Sequence, residues 1–115
     1  MVKYKDTKDI CALTKQGLYL INSGRENEAM TYFDKALELD SNNVDALVGK
    51  GKLLDKLNQH EKALQFFYRI YDIDRHEASH AFADRGWNLL RLQKPQESIL
   101  SFNFVIDLDP GFELA

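Results

Sequence analysis

The chain has 115 residues, 44% of them hydrophobic and 29% charged, with a formal net charge of −3, one cysteine, 2 Pro and 6 Gly. That size and apolar content suit one compact domain and exclude a disordered chain, and the acidic balance argues against a dedicated nucleic-acid binder. The single Cys11 leaves no internal disulfide, Met1-Val2-Lys3-Tyr4-Lys5-Asp6 holds no apolar signal segment, and every apolar run is too short to span a bilayer.

Six helices are predicted in chain order. The first covers roughly 7–23, where Leu13, Gly17 and Leu20 fall at i, i+4 and i+7, one face of a helix. Ser23-Gly24 interrupts it, and Gly24 suits the left-handed residue that ends a helix. The second covers roughly 26–39 and repeats the pattern with Ala29, Phe33, Ala36 and Leu37. Asn42 followed by Asp45 reads as an N-cap with an acid in the first turn, opening a third helix over roughly 43–57. A fourth is expected at roughly 60–73 and a fifth at roughly 78–92, separated by a turn. Pro95 stands where its missing N–H costs nothing, at the start of a sixth helix over roughly 95–107. Few prolines and many Leu, Ala, Lys, Glu and Gln agree with an all-α chain.

The helices recur in pairs. Gly17 and Gly51 are 34 residues apart, as are Ala29 and Ala63, Phe33 and Phe67, and Asp40 and Asp74. One added residue continues the series to Gly86, Ser98, Phe102 and Asp109, and the turn before the fifth helix is the place expected to hold it. Ala12-Leu13-Thr14-Lys15-Gln16-Gly17 answers to Ala46-Leu47-Val48-Gly49-Lys50-Gly51 and to Ala81-Phe82-Ala83-Asp84-Arg85-Gly86. Small residues at Gly17, Gly51 and Gly86, and at Ala29, Ala63 and Ser98, let two helices approach. Phe33, Phe67 and Phe102 then fill the space between them.

These residues resemble the tetratricopeptide repeat family, whose helix–turn–helix unit carries W-x₂-L-G-x₂-Y, then A-x₃-F, then P. Gly17, Gly51 and Gly86 meet the Gly; Ala29/Phe33 and Ala63/Phe67 meet A-x₃-F, with Ser98/Phe102 close to it. Leu13, Leu47 and Phe82 replace the Trp, Leu20, Leu54 and Leu89 replace the Tyr, and only Pro110 meets the Pro. The resemblance implies a right-handed α-solenoid of three antiparallel hairpins. Repeats are expected over 10–43, 44–78 (including the inter-repeat turn) and 79–112. Residues 1–9 would extend the first helix, and 113–115 would begin an incomplete fourth repeat. Pro110-Gly111-Phe112-Glu113-Leu114-Ala115 then stops. The apolar Ile99, Phe102, Val105 and Ile106 before it suggest either a piece of a longer repeat protein or an end covered by another copy.

The resemblance also implies a concave surface lined by the first helix of each hairpin, on which a peptide or protein segment binds. The expected groove residues are Thr14, Leu18, Ile21 and Asn22, with Cys11, in the first repeat. In the second they are Val48, Lys52, Asp55 and Lys56, with Asp45, and in the third Ala83, Trp87, Leu90 and Arg91, with His80. Family members that hold acidic chaperone C-termini use a clamp of Lys, Asn and Arg. The matching positions here are Thr14, Leu18, Gly49, His80 and Asp84, and none conforms. Apolar groove ends and a charged middle of Lys52, Asp55 and Lys56 are expected, with Trp87 either packed along the helices or exposed as an anchor. The alternative function is self-association through apolar solenoid ends.

Three motifs suggest chemistry and are read as structural. His76-Glu77-Ala78-Ser79-His80 matches H-E-x-x-H, but Ala83 and Gly86 stand where the longer zinc motif needs Gly and His, and a catalytic zinc needs a third protein ligand. Gly49-Lys50-Gly51-Lys52 lacks phosphate-loop spacing. Cys11 is expected to be a half-buried small hydrophobe, and His60 a solvent-side residue. The reading is a non-enzymatic, cytoplasmic scaffold without cofactor or metal, whose partner is a protein or peptide and neither nucleic acid nor membrane.

Overall fold

The structure, a computed structural model, describes residues 4–111, with side chains from Asp9 onward. Its elements are α1 (Tyr4–Asn22), α2 (Glu26–Leu39), α3 (Val44–Lys56), α4 (His60–Ile73), α5 (Arg75–Arg91) and α6 (Pro95–Leu108). No strand occurs among the described residues. α1 pairs with α2, α3 with α4 and α5 with α6, while α2–α3 and α4–α5 contacts join successive hairpins and α1, α3 and α5 lie side by side. The segment expected to begin a fourth repeat, 113–115, lies outside the described residues.

Each hairpin closes where a phenylalanine meets a glycine. A Cβ placed on Gly17 would come within 2.7 Å of the Phe33 ring, on Gly51 within 2.6 Å of Phe67, and on Gly86 within 2.6 Å of Phe102. Phe33 also lies against Gly49 of the next hairpin, so that glycine serves packing between repeats rather than a phosphate. Ser98 replaces the alanine of the other repeats, and its buried hydroxyl donates to the Gly86 carbonyl at 2.8 Å, which satisfies it. Two apolar clusters result, one around Leu20, Phe33 and Leu53, the other around Leu47, Phe67, Phe82 and Val105. Met30 and Leu37 pack against both and make the core continuous.

The first helix of every hairpin ends in the same way. Gly24, Asn58 and Gln93, one per repeat, have φ of 77°, 66° and 61°. The following N–H reaches back to Leu20, Leu54 or Leu89 at 2.8–2.9 Å, the paired bonds of a Schellman ending.

Three local expectations change. Asn43, not Asn42, caps α3, accepting from the Ala46 N–H at 2.9 Å. No turn holds the extra residue before α5: Asp74 ends α4 and its carboxylate at once accepts from the His76 and Glu77 N–H groups. The equivalent Asp40 accepts only from Asn42 within a turn, so α5 starts about one helical turn earlier in its repeat than α3. His60 is not solvent-side: its ring contacts Asp55 at 2.8 Å and Asn58 at 2.9 Å.

Those last contacts belong to a buried polar network that crosses four helices. Arg85 of α5, 2% exposed, donates to both oxygens of Asp55 on α3 at 2.8 and 2.9 Å and to Ser101 of α6 at 3.0 Å. His60 of α4 supplies the remaining contact to Asp55. A buried ion pair adds little net stability but makes one arrangement of its helices far better than others, because either charge left alone would be costly.

Candidate functional site

The residue just after each hairpin glycine points away from the phenylalanine behind it, by the 3.6-residue turn of the helix. Leu18, Lys52 and Trp87 occupy that position on α1, α3 and α5, and Leu18 and Lys52 line one groove. Leu18 and Val48 supply the apolar part of a groove of about 340 Å³, and Lys52, His80 and Asp84 supply its polar wall. Lys52 bridges from α3 to Asp84 of α5 at 2.6 Å. Lys56, lower on α3, pairs with Glu26 at 2.8 Å. The Lys56 hydrogen bond, helped by Glu26's own backbone N–H, holds that carboxyl below its ordinary range.

The expected groove residues divide. Leu18, Asn22, Lys56, Trp87, Leu90 and Arg91 are exposed, and Ile21, Val48 and Lys52 partly so. Thr14, Asp55 and Ala83 are buried and leave the groove. Thr14 turns its hydroxyl onto the Cys11 carbonyl at 3.0 Å. Ala83 joins the second core cluster, and Asp55 is committed to Arg85. The charged middle expected of Lys52, Asp55 and Lys56 is therefore two lysines already paired and one carboxylate out of reach. Asp84 enters the wall instead. Its place matches Gly49, a position aimed at the preceding helix, and that match was the available signal.

Trp87 is both packed and exposed. It is 50% exposed, and its ring meets Phe102 edge-on with centroids 5.2 Å apart. Lys52 faces the next first helix through Asp84, whereas Trp87, one repeat later, faces outward beside Leu90.

His76 and His80 stack one turn apart on α5, ring centroids 4.8 Å apart and nearly perpendicular. No group of three or more His, Cys, Asp or Glu side chains among the described residues could hold a metal ion. Cys11 is exposed rather than half-buried, being on the uncovered side of α1. No described helix is long and apolar enough to cross a membrane.

Comparison with known proteins agrees with the helical-hairpin fold. The tetratricopeptide repeat profile matches residues 20–83. The human protein O-mannosyl-transferase TMTC3 is 28% identical over 99 residues, which is 82% of this chain but 10% of that protein. An uncharacterised protein of Methanocaldococcus jannaschii, MJ0572, is 34% identical over 62 residues, 54% of this chain and 72% of the other. This chain thus spans about a tenth of the human relative. Among solved structures, the first such repeat domain of Spaghetti (RPAP3), bound to the HSP90 peptide SRMEEVD, superposes with a TM-score of 0.69 at 20% identity, covering 93% of this chain and 84% of that one. YrrB, described as having an unusual peptide-binding site, gives 0.65 at 22% identity, covering 89% and 52%.

Proposed function

Since the chain belongs to the tetratricopeptide repeat family, we propose that it is a non-catalytic scaffold that holds a peptide or protein segment along the row Leu18–Lys52–Trp87. The observation that carries this reading is Trp87, half exposed on α5 one helical turn beyond Asp84, which lines a groove with Leu18 and Val48. An exposed aromatic held rigid on one edge is the kind of anchor that dominates binding interfaces. The HSP90 peptide bound to Spaghetti and the peptide-binding site of YrrB support a peptide as the ligand class.

The ligand differs in character from an acidic chaperone tail. Both groove lysines are already engaged, Lys52 by Asp84 and Lys56 by Glu26, and the wall adds Asp45 and Glu77. A segment with apolar side chains at the Leu18 and Trp87 ends fits better than a run of carboxylates. Its affinity then rests on buried apolar surface and changes little with salt. Peptides selected from a displayed random library against the wild type provide the test, titrated by calorimetry at low and high salt. Trp87→Ala is expected to weaken them by about 2 kcal/mol or more without loss of helicity, as truncated interface anchors do. Equal affinity for wild type and variant moves the binding surface elsewhere.

A second reading has its own observation. Ile99 and Ile106 of α6 are 57% and 50% exposed on the side where every earlier hairpin is covered by the next one. That stripe, with Trp87 beside it, supports association with a second copy.

A further inference from the structure

α4 and α6, the second helices of the last two hairpins, enclose a cleft on the side of the molecule opposite the groove just described, with α5 as its floor. Two adjoining cavities of about 380 and 360 Å³ lie along it and share Tyr68, Phe104 and Asp107. Leu64, Tyr68, Leu100 and Phe104 form the walls and Phe82 the floor. The rings form one cluster: Phe82 lies 4.2 Å from Phe104 and 5.7 Å from Tyr68, and Tyr68 meets Phe104 edge-on at 5.7 Å. Leu100 is 68% exposed, more than any other leucine or isoleucine among the described residues that the core leaves out.

The corresponding gap one hairpin earlier, between α2 and α4, is filled by different chemistry. Phe66 stands there at the position of Ser101, and Lys50 lies over its ring at 5.2 Å while pairing with Asp34 at 2.6 Å. In the later gap Ser101 leaves the space of a ring empty. Tyr68 replaces Asp34, and Arg85 replaces Lys50 but turns inward to Asp55. The later gap is therefore open and apolar where the earlier one is closed and ion-paired.

Its charge is one-sided. Glu61, Glu97 and Asp107 stand on the rim, and none forms an ion pair among the described residues. The basic side chains of the lining are Arg85, already paired with Asp55, and His60, whose ring contacts the same carboxylate. Apolar walls under three uncompensated carboxylates select a ligand with a large apolar side chain beside positive charge. We propose that this cleft is a second binding site, which takes a basic segment of a protein partner by inserting an aromatic or aliphatic side chain between Leu64 and Leu100 while flanking Lys or Arg side chains face Glu61, Glu97 and Asp107.

The probe is the blocked tripeptide acetyl-Arg-Phe-Arg-amide, titrated into isotopically labelled protein with its uncharged counterpart acetyl-Gln-Phe-Gln-amide as control. The methyl signals of Leu64 and Leu100 and the ring signals of Phe82 are expected to move with the basic peptide. Affinity should fall at least threefold with the uncharged one and at least threefold between 50 and 300 mM salt, figures on the order expected for screened surface charges. Glu97→Gln with Asp107→Asn should weaken the basic peptide to the level of the uncharged one. Leu100→Ser, at an exposed position, should weaken both peptides, and Ser101→Phe should fill the cleft as Phe66 fills the earlier gap. Trp87→Ala should leave this binding unchanged, so the cleft and the Trp87 groove stand or fall separately. Equal binding of the two peptides, shifts confined to Leu18 and Val48, or Leu100 signals that broaden with protein concentration alone would each overturn the proposal, the last by giving the cleft to a second copy.

Discussion

Asp55 shows how much one residue's role depends on its neighbours. Its place on α3 matches Ile21, partly exposed, and Leu90, exposed, in the other repeats, yet it is 1% exposed and held by two nitrogens of Arg85. Asp55→Ala leaves a guanidinium buried without its counter-charge and is expected to lower stability by about 3–5 kcal/mol. Asp55→Leu combined with Arg85→Met should cost much less, because it removes both charges and keeps apolar volume. Urea denaturation of the three proteins measures this. A double variant as unstable as the single one would mean that the network contributes through packing rather than charge pairing.

At the scale of the element, the three equivalent helix ends offer an internal comparison. Gly24, Asn58 and Gln93 adopt nearly the same left-handed conformation, which glycine reaches freely, asparagine tolerates and glutamine reaches only against its Cβ. The backbone bonds of the α5 ending, Gln93 to Leu90 at 3.0 Å and Lys94 to Leu89 at 2.8 Å, hold Gln93 there. Gln93→Gly is expected to stabilise the chain by about 0.5–1 kcal/mol, the cost of an L-residue in that region less the extra freedom of an unfolded glycine. Thermal unfolding should show a midpoint several degrees higher, and Gln93→Ala, which keeps a Cβ, should show no such gain. A Gly variant that melts with the wild type would show that the α5 ending relaxes without strain.

Across the three described hairpins, the outer faces of the first and the last differ. The outer side of α1 carries Lys15, Gln16 and Tyr19, polar or amphipathic groups that remain soluble when uncovered. The outer side of α6 carries Ile99 and Ile106, with Trp87 edging Phe102 beside them. Copies stacking head to tail would place Lys15 against isoleucine, so the pairing consistent with these ends joins two α6 faces around a two-fold axis. If that association occurs, light scattering should show a mass that doubles with concentration, and Ile99→Lys with Ile106→Lys should return it to a monomer. A constant monomeric mass across the range removes the second reading and leaves the Trp87 groove unaffected.

The sequence by itself determined the architecture. Glycine, alanine and phenylalanine recurring at a near-constant spacing are packing instructions that act within one hairpin, so six helices, their pairing and the Phe33, Phe67 and Phe102 contacts were legible from spacing alone. Pro95 and Gly24 marked helix ends for the same local reason, and the exposure of Leu18 and Trp87 followed from helical periodicity. Only the tertiary structure decided which polar residues face water. Asp55 and Arg85 are 30 positions apart, and nothing within a helical turn of either reveals that they meet, nor that Lys52 and Lys56 are already paired. The added residue was expected in a turn before α5 because surface turns tolerate insertion; that Asp74 caps α5 directly depends on how α4 delivers the chain to the next hairpin. The α4–α6 cleft was invisible for the same reason. Its walls come from two hairpins, and the space between them exists because Ser101 stands where Phe66 stood one repeat before, a difference whose meaning appears only when three helices are brought together.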